Sequence, residues 1–336
     1  MIRWLRIVLF SFFLGLTSWV SLWAAADIPT VILDTDISSD VDDVGAVAVL
    51  HGLASRGEVK ILAMMVSSGD PWSAPCLEAL NTWYGRAEIP VGMVERRAVR
   101  HVSKYTQAIA TEFGQGVPVD AATPGAVELY RKTLAAQPDE SVTLISVGYL
   151  TNLRNLLLSQ PDRHSPLHGI ALVKSKVQRL VCMGGQYPRG REWNFYQDTP
   201  ATQLVIEHWP TPLVFCGFEI GRSVLTGSGL RQANPEAPLA RAYQLYNRKS
   251  NRPSWDQVTV LLGLDAEVRK KLFGQDFFSF VSEGGNRVMA DGTNFWEPLR
   301  GRKQSYVTLE VPPEVLATQV ETLMIGDNLG ITKGKL

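Results

Sequence analysis

The sequence has no surplus charge of either sign: Lys plus Arg and Asp plus Glu each number 33 in 336 residues, a formal net charge of zero. No basic stripe breaks that balance, and a nucleic-acid binder needs one, so no nucleic-acid partner is expected. Cysteine is scarce, and the 3 present make no disulfide framework. Cys182 and Cys216 lie in apolar runs that read as central strands, and Cys76 lies in a predicted helix. They read as small core residues, with one bridge left open for an exported chain. Internal repeats and low-complexity tracts are also missing. What is plentiful is apolar sequence, 45% of the chain, enough for one large domain or two small ones. No strong linker divides it.

The first 26 residues read as a targeting segment. Arg3 and Arg6 form a positive start, Ile7 to Trp23 is an almost uncharged apolar run, and Ala24-Ala25-Ala26 offers a small-residue cleavage site. The mature chain is expected to begin near Asp27 in a periplasmic or secreted setting. An uncleaved membrane anchor is the alternative, because the apolar run is long for a signal peptide.

The stretch that organises the remainder is VILDTDISSDVDDVGAVAVL, Val31 to Leu50. A β-rich run delivers Asp34 and Asp36 at its carboxyl end. Asp40 follows in a polar turn, and Asp42 and Asp43 open an apolar run with helical spacing. Two acids at a helix N-terminus are explained by the helix dipole, worth about 0.3–1 kcal/mol each. Asp34 and Asp36 are not, since they fall where an open α/β sheet has its ligand crevice. Crowded like charges repel unless a cation sits among them, so a metal site is expected here.

From Pro29 to about Pro212, β-rich runs alternate with helical ones. The expected fold is α/β, Rossmann-like, with a mostly parallel central sheet flanked by helices. Strands are predicted at Thr30–Leu33, Val59–Val66, around Val91, and at Val142–Val147, Gln178–Met183 and Leu213–Gly217. Residues 97–122 are poorly patterned and read as a surface excursion, and 186–197 as a loop. Phe277–Val281, Arg287–Ala290 and Tyr306–Val311 suggest a small antiparallel C-terminal extension, closed by a helix over Val315–Met324. Polar residues fall after the strands: Asp70 after the second, Thr151 and Asn152 after a middle one, Glu192 and Asn194 after the next. Asp256 opens a late helix. Parallel strands bring their carboxyl ends to one rim, so these residues can converge. The donors are all oxygen, which suits Ca²⁺ first and Mg²⁺ second, not zinc.

With DTDISSDVDD at 34–43, LTN at 150–152, MGG at 183–185, EWN at 192–194 and WDQ at 255–257, the chain resembles the inosine-uridine-preferring nucleoside hydrolases over about residues 30–265. The resemblance implies one catalytic domain over 27–336, a bound Ca²⁺, and hydrolysis of the N-glycosidic bond of ribonucleosides or related ribosides to ribose and free base. It implies that Asp36, Asp43, Asp256 and the carbonyl of Thr151 hold the calcium, and that Asp42 is the general base toward the calcium-bound water. By the same resemblance Asp70, Met183, Glu192 and Asn194 contact the sugar and Asp34 stands behind these groups; Asp40 is read as standing behind them too, and is the alternative to Asp42 as the acid facing the water, Asp42 being favoured because it adjoins Asp43. A homo-oligomer is also in keeping with the family.

The chemistry needs such residues: glycosidic cleavage passes through an oxocarbenium-like state with water on one face, and a carboxylate accepts the water's proton. Three departures stand out. The aspartate motif is two residues longer than the family's usual form, with Asp40 in the added space. Asp70 stands where an Asn is usual, and Arg189 and Arg191 occupy the short segment before Asn194. The largest departure is Trp255, where many members have a histidine that protonates the leaving base. Indole has only an N–H donor and no titration near neutral pH. Trp255 therefore reads either as a wall stacking on the base or as core packing, with Trp72, Tyr187, Trp193 and Glu219 as further candidates for the rim. His51 and His208 read as structural. A flat base on Trp255 favours purine over pyrimidine ribosides, and activated leaving groups over uridine. Two alternatives stay open: a Mg²⁺-dependent phosphatase of the haloacid dehalogenase type with Asp34 as nucleophile, and a non-catalytic ribose- or nucleoside-binding protein.

Overall fold

The computed structural model describes residues 28–95, 98–119, 123–248, 250–299 and 301–326. The expected targeting segment, residues 1–26, lies outside them. In chain order the first half runs β1 (Thr30–Thr35), α1 (Asp42–Ser55), β2 (Lys60–Val66), α2 (Ser73–Trp83), β3 (Val91–Met93), α3 (Thr106–Phe113), α4 (Ala126–Ala135), β4 (Val142–Ser146), α5 (Thr151–Leu157) and α6 (Gly169–Lys176). Then follow β5 (Val177–Met183), β6 (Arg189–Arg191), α7 (Trp193–Gln197), α8 (Thr199–His208), β7 (Leu213–Cys216), α9 (Phe218–Ser223), β8 (Leu225–Thr226), α10 (Leu230–Ala233) and α11 (Pro238–Asn247). The chain closes with β9 (Arg252–Pro253), α12 (Trp255–Leu262), α13 (Ala266–Phe273), β10 (Phe278–Val281), β11 (Gly285–Val288), β12 (Thr293–Glu297), β13 (Gln304–Leu309) and α14 (Pro313–Ile325).

The main sheet has the order β10-β13-β7-β5-β4-β1-β2-β3. All its neighbours are parallel except β10 with β13. β1 is buried almost throughout, as a central parallel strand must be, and its side chains alternate between two cores. Val31 and Leu33 face one core with Met64 and Val66. Ile32 faces the other with Ala63 and Met65. From β1 the order runs outward to β2 and β3 on one side, and from β4 to β5, β7 and β13 on the other. The direction therefore reverses between β1 and β4, and an open α/β sheet has its ligand crevice at that switch.

α1 descends from this switch point and is buried on every side from Asp42 to Leu53. It lacks a polar stripe because α12 and α14 cover it. At Gly45 a Cβ would meet the Gln257 side chain at 2.2 Å, so only glycine lets α12 come this close. Asp198 caps α8 through the Ala201 N–H, with proline in the first turn.

Several expectations need correction. The 97–122 excursion contains α3, which packs on α2, with Tyr105, Ile109 and Ala110 buried. The 186–197 loop holds β6 and α7, and β6 joins β12 and β11 in a separate antiparallel sheet. β13, read as antiparallel, also pairs in parallel with β7 and so extends the main sheet. Cys76, Cys182 and Cys216, by contrast, are the buried core residues expected, and they are unpaired.

The turns after β1 and β4 are in direct contact: the Val147 N–H donates to the Asp34 carbonyl at 2.7 Å. A Cβ on Gly148 would lie 2.4 Å from the Asp36 nitrogen. Gly148→Ala is therefore expected to cost about 1–3 kcal/mol in urea unfolding by overpacking. An unchanged midpoint would contradict this close approach.

Candidate active site

Asp36 leaves the end of β1 and Asp42 and Asp43 enter the first turn of α1, while Asp256 sits in the first turn of α12. Two helix N-termini thus direct their partial positive charge at one cluster of acids. Carboxylate oxygens of Asp42, Asp43 and Asp256 lie within 4.8 Å of one another, and all three residues are buried. Thr35 donates its hydroxyl to Asp43, and the Asp256 N–H donates to Asp42 Oδ2 at 3.4 Å. Asp36 lines the same cavity and accepts from the Ser39 hydroxyl at 3.3 Å.

Such crowding disfavours ionisation. Burial, then mutual repulsion, holds Asp42, Asp43 and Asp256 well above the usual carboxylate range. Burial lifts Asp36 to about 6 despite the nearby Tyr149 hydroxyl. Asp42 is relieved in part by the Arg252 guanidinium. An all-oxygen, anionic, buried donor set with no lysine among its lining residues fits a hard divalent cation.

The facing wall comes from the segment after β5. Glu192 caps α7, accepting from the Asn194 N–H at 2.8 Å and from the N–H groups of Phe195 and Gly185 at 3.2 and 3.1 Å. Burial outweighs these bonds and lifts its carboxyl to about 7. The Asn194 amide donates to the carbonyls of Val147 at 3.1 Å and Met183 at 3.3 Å, tying the ends of β4 and β5 together. Between the acid cluster and this wall lies a cavity of about 310 Å³.

Asp36, Asp40, Asp42, Asp43, Met183, Glu192, Asn194, Trp255 and Asp256 all line that cavity. Asp34, Thr151 and Asp70 do not. Asp34 is buried behind it, accepting from the Tyr130 hydroxyl at 2.8 Å and the Asn152 amide at 3.3 Å. Burial lifts its carboxyl to about 7. A carboxylate so enclosed is not placed to attack a substrate, which removes the structural basis for a phosphatase nucleophile. The Thr151 hydroxyl donates to Asp198 at 2.5 Å. Asp70 accepts from the Thr106 hydroxyl at 2.7 Å and the Trp72 N–H at 3.2 Å, away from the lining.

Among the aromatic candidates, Trp193 lines the cavity; Trp72 and Tyr187 do not. Tyr187 stacks on Tyr306 at 4.7 Å and its N–H donates to Glu219 at 3.1 Å. His51 is structural, bonded to Asn81 at 2.9 Å. Trp255 combines both readings offered for it. Its ring forms part of the wall, while its N–H donates to the Phe218 carbonyl at 2.8 Å and its face stacks on the Phe218 ring at 5.2 Å.

Sequence reasoning missed Phe218, Tyr246 and Arg252, which complete this end of the cavity. Phe218 carried a signal, since it follows β7 as the other lining residues follow their strands. Arg252 stands three residues before Trp255 but gave no sign of its partner. It forms an ion pair with Asp40, donating from Nε to Oδ1 at 2.9 Å and Oδ2 at 3.2 Å and from Nη2 to Oδ2. Asp40 is thereby committed, and Asp42 is left facing the cavity.

An acid-lined crevice at the switch point of a parallel sheet defines a class of α/β proteins that handle small polar ligands. More narrowly, the chain belongs to the inosine-uridine preferring nucleoside hydrolase family, which matches residues 31–316. It is 29% identical over 204 residues to a pyrimidine-specific ribonucleoside hydrolase, RihA, of Escherichia coli O127:H6, covering 56% of this chain and 60% of that protein. The chain thus spans about three-fifths of the curated relatives it matches. Its fold is similar to that of an inosine-uridine preferring nucleoside hydrolase from Bacillus anthracis, with a TM-score of 0.64 and 19% identity over 88% of this chain and 99% of the other. It is also similar to a plant nucleoside hydrolase, PpNRh1, with a TM-score of 0.63 and 19% identity over 90% and 99% of the two chains.

The raised acids carry a testable sign. Without a cation the fold binds protons that the unfolded chain releases, so the associated stability is present below pH ~4 and is lost as pH rises through about 6, where Asp36 titrates, and beyond, where its more strongly raised neighbours do. A bound cation ionises the same groups in the fold, so their contribution then appears above pH ~4 and is lost on acidification. In chelator, Tm is expected to fall between about pH 5 and about pH 8, and saturating calcium should flatten or reverse that fall. Parallel Tm–pH curves with and without calcium would contradict a cation site.

Proposed function

We propose that the protein is a calcium-dependent nucleoside N-ribohydrolase. The observation that carries this reading is the opposition, across one cavity of about 310 Å³, of a buried acid cluster and the Met183–Glu192–Asn194 wall. That volume suits a nucleoside-sized ligand. Family membership and the curated relatives named as ribonucleoside hydrolases support the same chemistry. Asp36, Asp43 and Asp256, with Asp42 adjoining, are the groups that would hold the ion. When bound, calcium would gather water and the ribose diol and lower the water's pKa.

The chain's own residues do the rest. Glu192 and Asn194 hold the ribose from the wall side, their orientation fixed by the backbone bonds already described. The acid cluster stabilises positive charge as the C1′–N bond lengthens. Asp42 takes the proton of the attacking water, ionised for that task once a cation sits among the acids. Trp255 and Phe218 offer a flat aromatic end for the base. The relatives are named for pyrimidine specificity, whereas an extended aromatic wall favours the larger purine, so a substrate panel must hold both. An exported location rests on the character of residues 1–26 alone, and N-terminal sequencing of the expressed protein tests it.

Asp42→Asn is expected to lower turnover about a hundredfold or more while calcium binding, followed by Tm, persists. If Asp40→Asn or Asp36→Asn abolishes turnover with the ion still bound and Asp42→Asn does not, the base is misassigned.

A further inference from the structure

Heterolysis of a glycosidic C–N bond leaves positive charge on the sugar and an electron pair on the base nitrogen. The carboxylates account for the first half of that separation only. At the aromatic end the Tyr246 phenol is engaged with Asp40, and burial with that charge pushes it up to about 12. Trp255 has its single N–H committed to the Phe218 carbonyl, and no histidine or lysine is among the cavity's lining residues. The one cationic side chain among them is Arg252.

Its setting is built. Asp40, from the lengthened turn, grips Nε and Nη2, and no described residue takes a hydrogen bond from Nη1. The guanidinium lies 5.3 Å from the Tyr246 ring centroid and 5.5 Å from that of Trp255, so aromatic faces flank it. Its side chain keeps 30% exposure. A fork fixed on one edge by a carboxylate presents its other edge as a rigid pair of donors. The cavity thus holds one cationic fork, Arg252, among its carboxylates and aromatic rings.

We propose that Arg252 is the leaving-group residue of this enzyme, and that Asp40 is the positioning residue that aims it. The inference rests on the hydrolase reading given above. The substrate class it selects is a ribonucleoside whose base carries a carbonyl oxygen or ring nitrogen acceptor on the edge facing Nη1. As the C1′–N bond breaks, its electron pair passes to the base, whose developing negative charge is held by the Nη1 hydrogen bonds. Water oxygen forms the new bond to C1′ and its proton goes to Asp42. The base departs as an anion and takes a proton from solvent, and Asp42 returns its own to solvent, so the sum is nucleoside plus water to ribose plus neutral base. Arginine stays protonated throughout and acts by charge and hydrogen bonding rather than by proton transfer.

The test compares substrates that need such help with one that does not. Wild type, Arg252→Met and Arg252→Lys are assayed on inosine, on uridine and on 4-nitrophenyl riboside, whose leaving group is already a stable anion. Arg252→Met is expected to lose about 100-fold or more in kcat/KM on both nucleosides, the scale of one removed oxyanion donor, and less than about 5-fold on the nitrophenyl riboside. Arg252→Lys, which keeps the charge but not the fork, should recover part of the nucleoside rate. Calcium-dependent Tm shifts report folding. Should Arg252→Met not fold, Arg252→Lys carries the same contrast with smaller factors. Equal losses on all three substrates would overturn the inference while leaving the hydrolase reading intact. A wild-type protein that cleaves none of the three would overturn both.

Discussion

Four carboxylates held out of water in one place repel one another, and the surrounding structure is arranged to tolerate that repulsion. Burial of Asp36, Asp42, Asp43 and Asp256 is unfavourable for their charged forms, as their raised pKa values record. The fold offsets this with positive ends of two helices, a hydroxyl from Thr35, and the Arg252 charge beyond Asp40. These are partial compensations. A divalent ion among the oxygens would be the complete one, and the proposed chemistry depends on it.

The sheet is what makes the crowding possible. Its order reverses between β1 and β4, so the turns after both strands open onto one crevice. Gly148 lets those turns touch, and Asn194 bonds to carbonyls at the ends of β4 and β5. α1, enclosed by α12 and α14, anchors Asp42 and Asp43 to the core rather than to a mobile loop. Rigid placement keeps the acids close despite their charge, and a catalytic constellation needs that rigidity.

The parts legible in the sequence were those written in local pattern. β-branched runs followed by acids located the strand ends, and the aspartate stretch, Glu192, Asn194 and Asp256 do meet at one cavity. Asp70 sat at an equally suggestive strand end, but its side chain does not line the cavity, because the Thr106 hydroxyl and the Trp72 N–H hold its oxygens; the Thr151 hydroxyl turns to Asp198, a bond that does not involve the carbonyl named as a ligand. The Asp40–Arg252 pair joins residues 212 positions apart, and no local period announces such a contact. β6 is three residues reading Arg-Gly-Arg, a strand only because β12 lies beside it. α3 is two turns long and gains its stability from packing on α2 rather than from its own pattern. Trp255 was ambiguous for a physical reason: one face packs on Phe218 while the ring also borders the cavity.

The claim at the centre is that the acid cluster exists to hold one divalent cation. Calorimetric titration of calcium into chelator-treated protein near neutral pH, repeated in two buffers of different ionisation heat, addresses it directly. The account expects one ion per chain and, because burial and mutual repulsion raise the carboxyls of the cation-free cluster, net release of protons on binding. Absence of binding, or binding with no proton release, would contradict it.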